Sequence, residues 1–254
     1  MKRFLKLLRK DLEASRLPVF FLAGITLILM AVLRWRIAQG AWHPQVSVLG
    51  VAVPLTFFPL WLIWRSFQTL RAEWREDTVY TLLVLPVPGW QVLLAKLAGL
   101  LVEYSVLFAA TVGGTFLFFG GLMDELWEVI PGPWWLAWNA LWVYVTGAFV
   151  LATLAIHVQL AFVVSKMVGR LQGLVALWVL FLSTWLTDRA ALLLEPLFRW
   201  LPTIRLHEFL QLTRFDEGII LEWQPAGQIG AAFATVGLLF LTGLLFERFL
   251  EING

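Results

Sequence analysis

Long stretches of this chain carry no charge, and their spacing sets the plan of the molecule. Residues 17–33 hold no charged side chain and are bounded by Arg16 and Arg34. An α-helix rises ~1.5 Å per residue, so roughly 20 apolar residues cross the ~30 Å hydrocarbon layer of a bilayer. The same pattern predicts further spans over 46–64, 96–121, 135–165, 171–187 and 228–246. Arginines at span ends reach the headgroups while their stems stay in hydrocarbon. Gly40, His43 and Pro44 predict a turn between the first two spans, and Pro54 and Pro59 a kink in the second. The charge-free run 133–165 is too long for one perpendicular crossing; Trp134, Trp135 and Trp138 read as its interfacial end, and tilt takes up the rest. The prediction is an all-α polytopic membrane protein, a single transmembrane domain over 1–254 with six transmembrane helices. An N-terminal interfacial amphipathic helix over 1–16 precedes the first span, and an outer-side helical element over 188–227 precedes the last.

Composition agrees with the pattern. Apolar residues make up 60% of the chain and charged ones 14%, with mean hydropathy +0.81, which no soluble domain has room to bury. The net charge of +2 and pI near 9.1 do not point to nucleic acid, because the basic residues stand beside apolar segments, as a membrane surface requires. With the N-terminus inside, thirteen of the nineteen Lys and Arg fall on the cytoplasmic side, which predicts a multi-pass protein of the cell membrane with both termini cytoplasmic. The first apolar run has no small-residue cleavage site after it and is expected to stay in the mature protein. There is no cysteine, which excludes disulfides, thiolate metal sites and cysteine nucleophiles.

Three segments outside the spans carry the functional information. In the first, Phe4, Leu5, Leu8 and Leu12 recur at helical spacing with Lys2, Lys6, Arg9 and Lys10 opposite, so the helix suits the membrane interface. Simple positive-inside anchoring and docking of a partner both fit it. The second is the cytoplasmic loop 65–95, where Glu73, Arg75, Glu76 and Asp77 offer charge on a short helix and Trp74 and Tyr80 offer apolar anchors. Pro86 and Pro88 stiffen its return to the membrane. The charges serve either as a contact for a soluble partner or as a solvated loop face. In the third, Leu192, Leu193, Leu197, Phe198 and Leu201 predict a helix on or dipping into the outer leaflet. Pro202 then breaks it, and a second helical stretch is expected from about 203 to 213.

The second segment resembles the permease subunits of ABC-2-type exporters. A charged cluster, Glu73, Arg75, Glu76 and Asp77, precedes the L-x-x-L-P-V-P run of Leu82, Leu85, Pro86, Val87 and Pro88. Val92, Leu93, Leu94 and Lys96 follow, the lysine opening the third span. The six-span layout and basic N-terminus extend the resemblance over most of the chain. It implies that the loop, with Glu73, Trp74, Arg75, Glu76, Asp77, Pro86 and Pro88, couples to a separate nucleotide-binding ATPase subunit. It also implies a second permease subunit, identical or homologous, and a re-entrant element before the last span that gates the outer exit; inert interfacial packing is the other reading of that element. The chain has no G-x-x-x-x-G-K-[ST] loop, so it is expected not to be an enzyme itself. ATP and Mg would belong to the partner, and this chain would hold no cofactor.

Few polar groups lie inside the spans. Glu103 is the clear intramembrane charge; Lys96, two turns earlier, opens its helix. A structural or subunit-contact role and a substrate contact are both open for Glu103. His157, with Gln159 and Asn139, reads as a helix-to-helix hydrogen-bonder. Many of the fifteen tryptophans sit near span ends as interfacial anchors. An intramembrane enzyme is the alternative class, yet no G-x-S-x-G or H-E-x-x-H occurs, and His43, His157 and His207 fall in different segments with no metal site or catalytic set evident. An ion-coupled secondary transporter would want more intramembrane charge than Glu103. The substrate is not legible.

Overall fold

In hydrocarbon no water receives backbone N–H and C=O groups, so an apolar stretch must close its own hydrogen bonds, and a helix does so within one segment. A computed structural model describes residues 2–75, 88–122, 133–168, 171–202, 204–205, 222–223 and 225–253. It has six long helices: α1 (Lys2–Ala38), α2 (Ser47–Arg75), α3 (Gly89–Phe119), α4 (Pro133–Val168), α5 (Gln172–Phe198) and α6 (Pro225–Asn253). All six are long and apolar enough to cross a membrane, and the chain is an all-α polytopic membrane protein. Ile204–Arg205 and Glu222–Trp223 form a two-residue antiparallel pairing, β1 with β2.

The helices run further than the charge-free stretches that reveal them. The expected interfacial helix 1–16 and the first span are one continuous helix, because nothing around Arg16 breaks it and Pro18 removes only a single N–H. Likewise α2 continues past Trp64 to Arg75, so Glu73, Trp74 and Arg75 lie on an extension of the second span rather than on a separate short helix. Helix α3 begins at Gly89, placing Lys96 two turns inside it rather than at its opening. Helix α5 continues to Phe198 through Pro196, past the boundary expected at Thr187. Ile204 and Arg205, expected to be helical, are extended instead; the rest of 206–213 lies outside the described residues. Charge marks where a helix leaves hydrocarbon, whereas hydrogen-bond geometry decides where it stops.

The expected turn after α1 is present, with Gly40 at φ 69°. Gly40 N–H donates to the Ile37 carbonyl and Ala41 N–H to that of Arg36, the paired C-terminal closure that needs a left-handed residue. His43 then caps a 3-10 turn over Pro44–Val46 that leads into α2. Proline opens both α4 and α6, where its missing N–H costs nothing.

Two compact units divide the chain: Met1–Leu7, Arg65–Leu97 and Ala152–Gly254 in one, and Leu8–Trp64 with Ala98–Leu151 in the other. In the second unit, Val19 and Ala23 of α1 meet Phe58 of α2 and Leu107 of α3. Met30, Leu33 and Ile37 of α1 pack with Phe119 of α3. Tyr104 of α3 stacks on Tyr144 of α4 at 5.5 Å, and the Tyr144 hydroxyl reaches Ser105 at 2.7 Å. Since Ser105 donates its own proton to the Leu101 carbonyl, Tyr144 is the donor in that pair. In the first unit, α5 packs along α6, with Phe198 stacked on Phe233. From Ala155 to Val163 helix α4 is buried on almost every side, the mark of a helix enclosed by protein rather than lipid.

Candidate functional site

The first unit gathers its polar chemistry where α2 ends and α3 begins, on either side of the segment 76–87. Glu73 falls in the last turn of α2 and Lys96 in the second turn of α3. Lys96 Nζ lies 3.0 Å from Glu73 Oε1, with side-chain exposures of only 3% and 8%. The ammonium also reaches the Thr69 carbonyl, one turn back on α2, at 3.4 Å. Two charges held this far from water are stable only as a pair with further hydrogen bonds, so this contact locks α2 to α3.

A second tie comes from Trp74. Its ring meets Phe162 of α4 edge-on at 5.1 Å and Phe246 of α6 at 5.8 Å. It also packs on the buried Val163 and Phe246 pair. The sequence suggests an anchor for a soluble partner, but the ring faces the bundle, because α2 stays helical and carries that side inward. A third tie closes the start of α3. The Gly89 N–H, one of the first-turn donors with no intrahelical acceptor, donates to Glu247 Oε1 of α6. That approach requires two glycines: a Cβ on Gly243 would stand 2.7 Å from Trp90 N, and one on Gly89 2.7 Å from the Gly243 carbonyl.

The residues flanking 76–87 are therefore held from both sides. Glu73 and Trp74 are spent inside the unit, Arg75 is exposed, and Pro88 is half-buried with its carbonyl accepting from Gln91 N–H at 2.9 Å. Glu76, Asp77 and Pro86 lie outside the described residues. Lys2 opens α1, and Lys6, Arg9 and Lys10 are exposed along it. Arg9 pairs with Glu13 at 2.7 Å on the open surface, where such pairs contribute little. On the opposite side Phe4, Leu8 and Leu12 are half-buried, but Leu5 is exposed. Glu103 is buried in α3 within the second unit. Lys96, two turns earlier in sequence, is committed to Glu73.

His157 does bond between helices. Its Nδ1 lies 2.7 Å from the Thr153 carbonyl, which can only accept, so Nδ1 carries a proton. Its Nε2 lies 3.1 Å from the Thr187 hydroxyl of α5, itself 2.9 Å from the Ser183 carbonyl, and the single hydroxyl proton serves one acceptor at a time. Asn139 donates to the Trp135 carbonyl one turn back on its own helix at 2.8 Å. Gln159 departs from the sequence reading: it is buried, yet neither atom of its amide meets a hydrogen-bond partner among the described residues. Among the described residues no group of three or more His, Asp or Glu gathers to hold a metal ion.

Glu247, Gly89 and Gly243 escape a sequence reading. Glu247 looks like an ordinary charge ending a span, and a glycine in a span does not say which helix approaches it. Their pairing joins positions 158 residues apart, which no local pattern encodes. No family model matches the chain, and no curated protein matches it.

Proposed function

We propose that this chain is the membrane-spanning permease subunit of an ATP-driven exporter of the ABC-2 type. It forms the translocation path and couples through the segment around residues 73–88 to separate nucleotide-binding subunits, which carry the ATP and Mg. A second permease, identical or homologous, completes the pair of membrane subunits, and the complex hydrolyses ATP. The protein lies in the cell membrane with both termini cytoplasmic, a reading supported by the excess of Lys and Arg in the segments assigned to that side.

The observation that carries this reading is the set of three ties that fasten the flanks of 76–87. Glu73 with Lys96, Trp74 with Phe162 and Phe246, and Gly89 with Glu247 join the flanks of that segment to α2, α3, α4 and α6. A push delivered there is passed to packed helices rather than absorbed, because close-packed interiors yield little. A solvated loop face needs no such fastening.

Co-purification from the native membrane in mild detergent tests the proposal, with ATPase activity compared between the native chain and Glu76→Ala and Asp77→Ala. The expected outcome is recovery of a P-loop ATPase whose association or coupled activity falls in the variants. A chain that purifies with no nucleotide-binding partner would refute it.

A further inference from the structure

We propose that the turn between α4 and α5 is a second docking point for the nucleotide-binding subunit, made by Leu171 with Val168 and Leu174. This contact rests on the permease reading and adds to it a surface outside 76–87. Leu171 stands at φ 56° and ψ 32°, the one residue other than glycine with a positive φ among the described residues. Left-handed backbone brings the Cβ of an L-residue too close to the following carbonyl oxygen, so such positions favour glycine or asparagine. Strained positions of this kind cluster where the residue serves function. Core packing does not account for the leucine, because it is 75% exposed. Nor does the turn depend on its side chain: Lys166 Nζ of α4 reaches Gln172 Oε1 of α5 at 3.0 Å, and the Leu171 backbone carbonyl accepts the Val175 N–H. Val168 before it and Leu174 after it are 55% and 59% exposed, so three aliphatic side chains stand out around one turn.

An apolar turn next to a membrane ordinarily dips into lipid, but this one stands clear of it. Helix α2 leaves the hydrocarbon at Arg65, where its charge-free stretch ends. Phe162 of α4 meets both Phe67 and Trp74 of α2, at 5.4 and 5.1 Å. Its ring is therefore level with the stretch between them, about 8 Å beyond Arg65 at the helical rise. Alternate spans run the same way, and Val168 follows Phe162 by six residues, a further ~9 Å. The headgroup layer on either side of the hydrocarbon is only about 5–8 Å thick, so the turn projects roughly 10 Å into water. Aliphatic side chains exposed together in water mark a protein contact.

The position of the turn selects the partner. Arg75, the last residue of α2, reaches nearly the same height as Val168, the last of α4, and the two helices are neighbours through Trp74 and Phe162. Packed helices lie about 8–10 Å apart, so a soluble subunit seated on 76–87 also meets Leu171. A second copy of the chain fits less well, because copies pack side by side within the bilayer and this turn lies beyond it.

The chain has no cysteine, so a single introduced thiol reports its own surroundings. Leu171→Cys and Leu174→Cys are labelled with a water-soluble maleimide in two preparations: the complex copurified from the native membrane, and the permease from which the nucleotide-binding subunit has been removed. Arg199→Cys, exposed at the other end of α5, is the control. Labelling at 171 and 174 should be fast in the permease alone and on the order of tenfold slower in the complex, with no change at 199. Equal rates in the two preparations overturn the contact, and so does slow labelling in the permease alone, which would mean that lipid or detergent covers the turn. Recovery of no nucleotide-binding subunit with the native chain would instead fail the permease reading itself, before any labelling. Should a cysteine variant not assemble, Leu171→Asn decides, since asparagine suits left-handed backbone. The melting temperature should hold or rise while the subunit binds on the order of tenfold more weakly. A fall in melting temperature would show that the leucine serves the fold, and native affinity that the subunit does not use it; either overturns the contact.

Discussion

Replacing Lys96 by Met, Glu73 by Leu, and then both together, tests the contact that ties α2 to α3. The charged atoms are 3.0 Å apart with exposures of 3% and 8%, so screening by solvent is small. At an effective dielectric of ~20 the gross attraction is about 5 kcal/mol, most of it offset by the cost of taking both charges out of water. The pair therefore adds little net stability, whereas removing one partner strands the other. Each single replacement should cost about 3–5 kcal/mol, and the double replacement should return to near the native value. For a chain of this size each single loss corresponds to a fall in melting temperature on the order of 10 °C. Thermal unfolding of the four proteins in one detergent measures the cycle. Additive losses, with the double replacement as poor as the two singles summed, would show that the charges do not depend on each other and would refute the reasoning.

Two further outcomes follow from the packing. Gly243→Ala places a methyl group against Trp90 backbone atoms at 2.7–2.8 Å, which cannot turn away as a side-chain tip can. It should destabilise by about 1–3 kcal/mol, read as a lower unfolding temperature, while alanine at Gly237, where a Cβ meets nothing within 4 Å, should be tolerated. Thr187→Val keeps the shape but removes the hydroxyl facing His157 Nε2, and should cost about 1–3 kcal/mol in thermal unfolding, whereas Thr187→Ser, which keeps the hydroxyl, should cost less. Equal effects of valine and serine would show that the hydrogen bond contributes nothing.

The contrast between sequence and structure is sharpest at single residues. Trp74 and Glu73, read in the sequence as part of a loop facing a partner, are turned into the first unit because α2 does not stop where its charges begin. Lys96 and Glu103 stand out in the sequence as rare charges in apolar surroundings, but the carboxylate that claims Lys96 is Glu73, 23 residues away and on another helix. The turn at Gly40 was legible because a left-handed backbone and its glycine are a local matter. Glu247 at Gly89 was not, since the N–H it satisfies is exposed by one helix end and met by another.

The sequence by itself determined that the chain crosses a membrane six times, because the free energy of placing a side chain in hydrocarbon is summed residue by residue along the chain and needs no knowledge of neighbours. It also located the turns set by glycine and proline. Only the tertiary structure decided which polar groups meet: Glu73 with Lys96, His157 with Thr187, and Gln159 with none among the described residues. Those outcomes depend on which faces of separate helices turn toward each other, and in hydrocarbon that choice rests on close packing and hydrogen bonds between distant segments rather than on hydrophobicity.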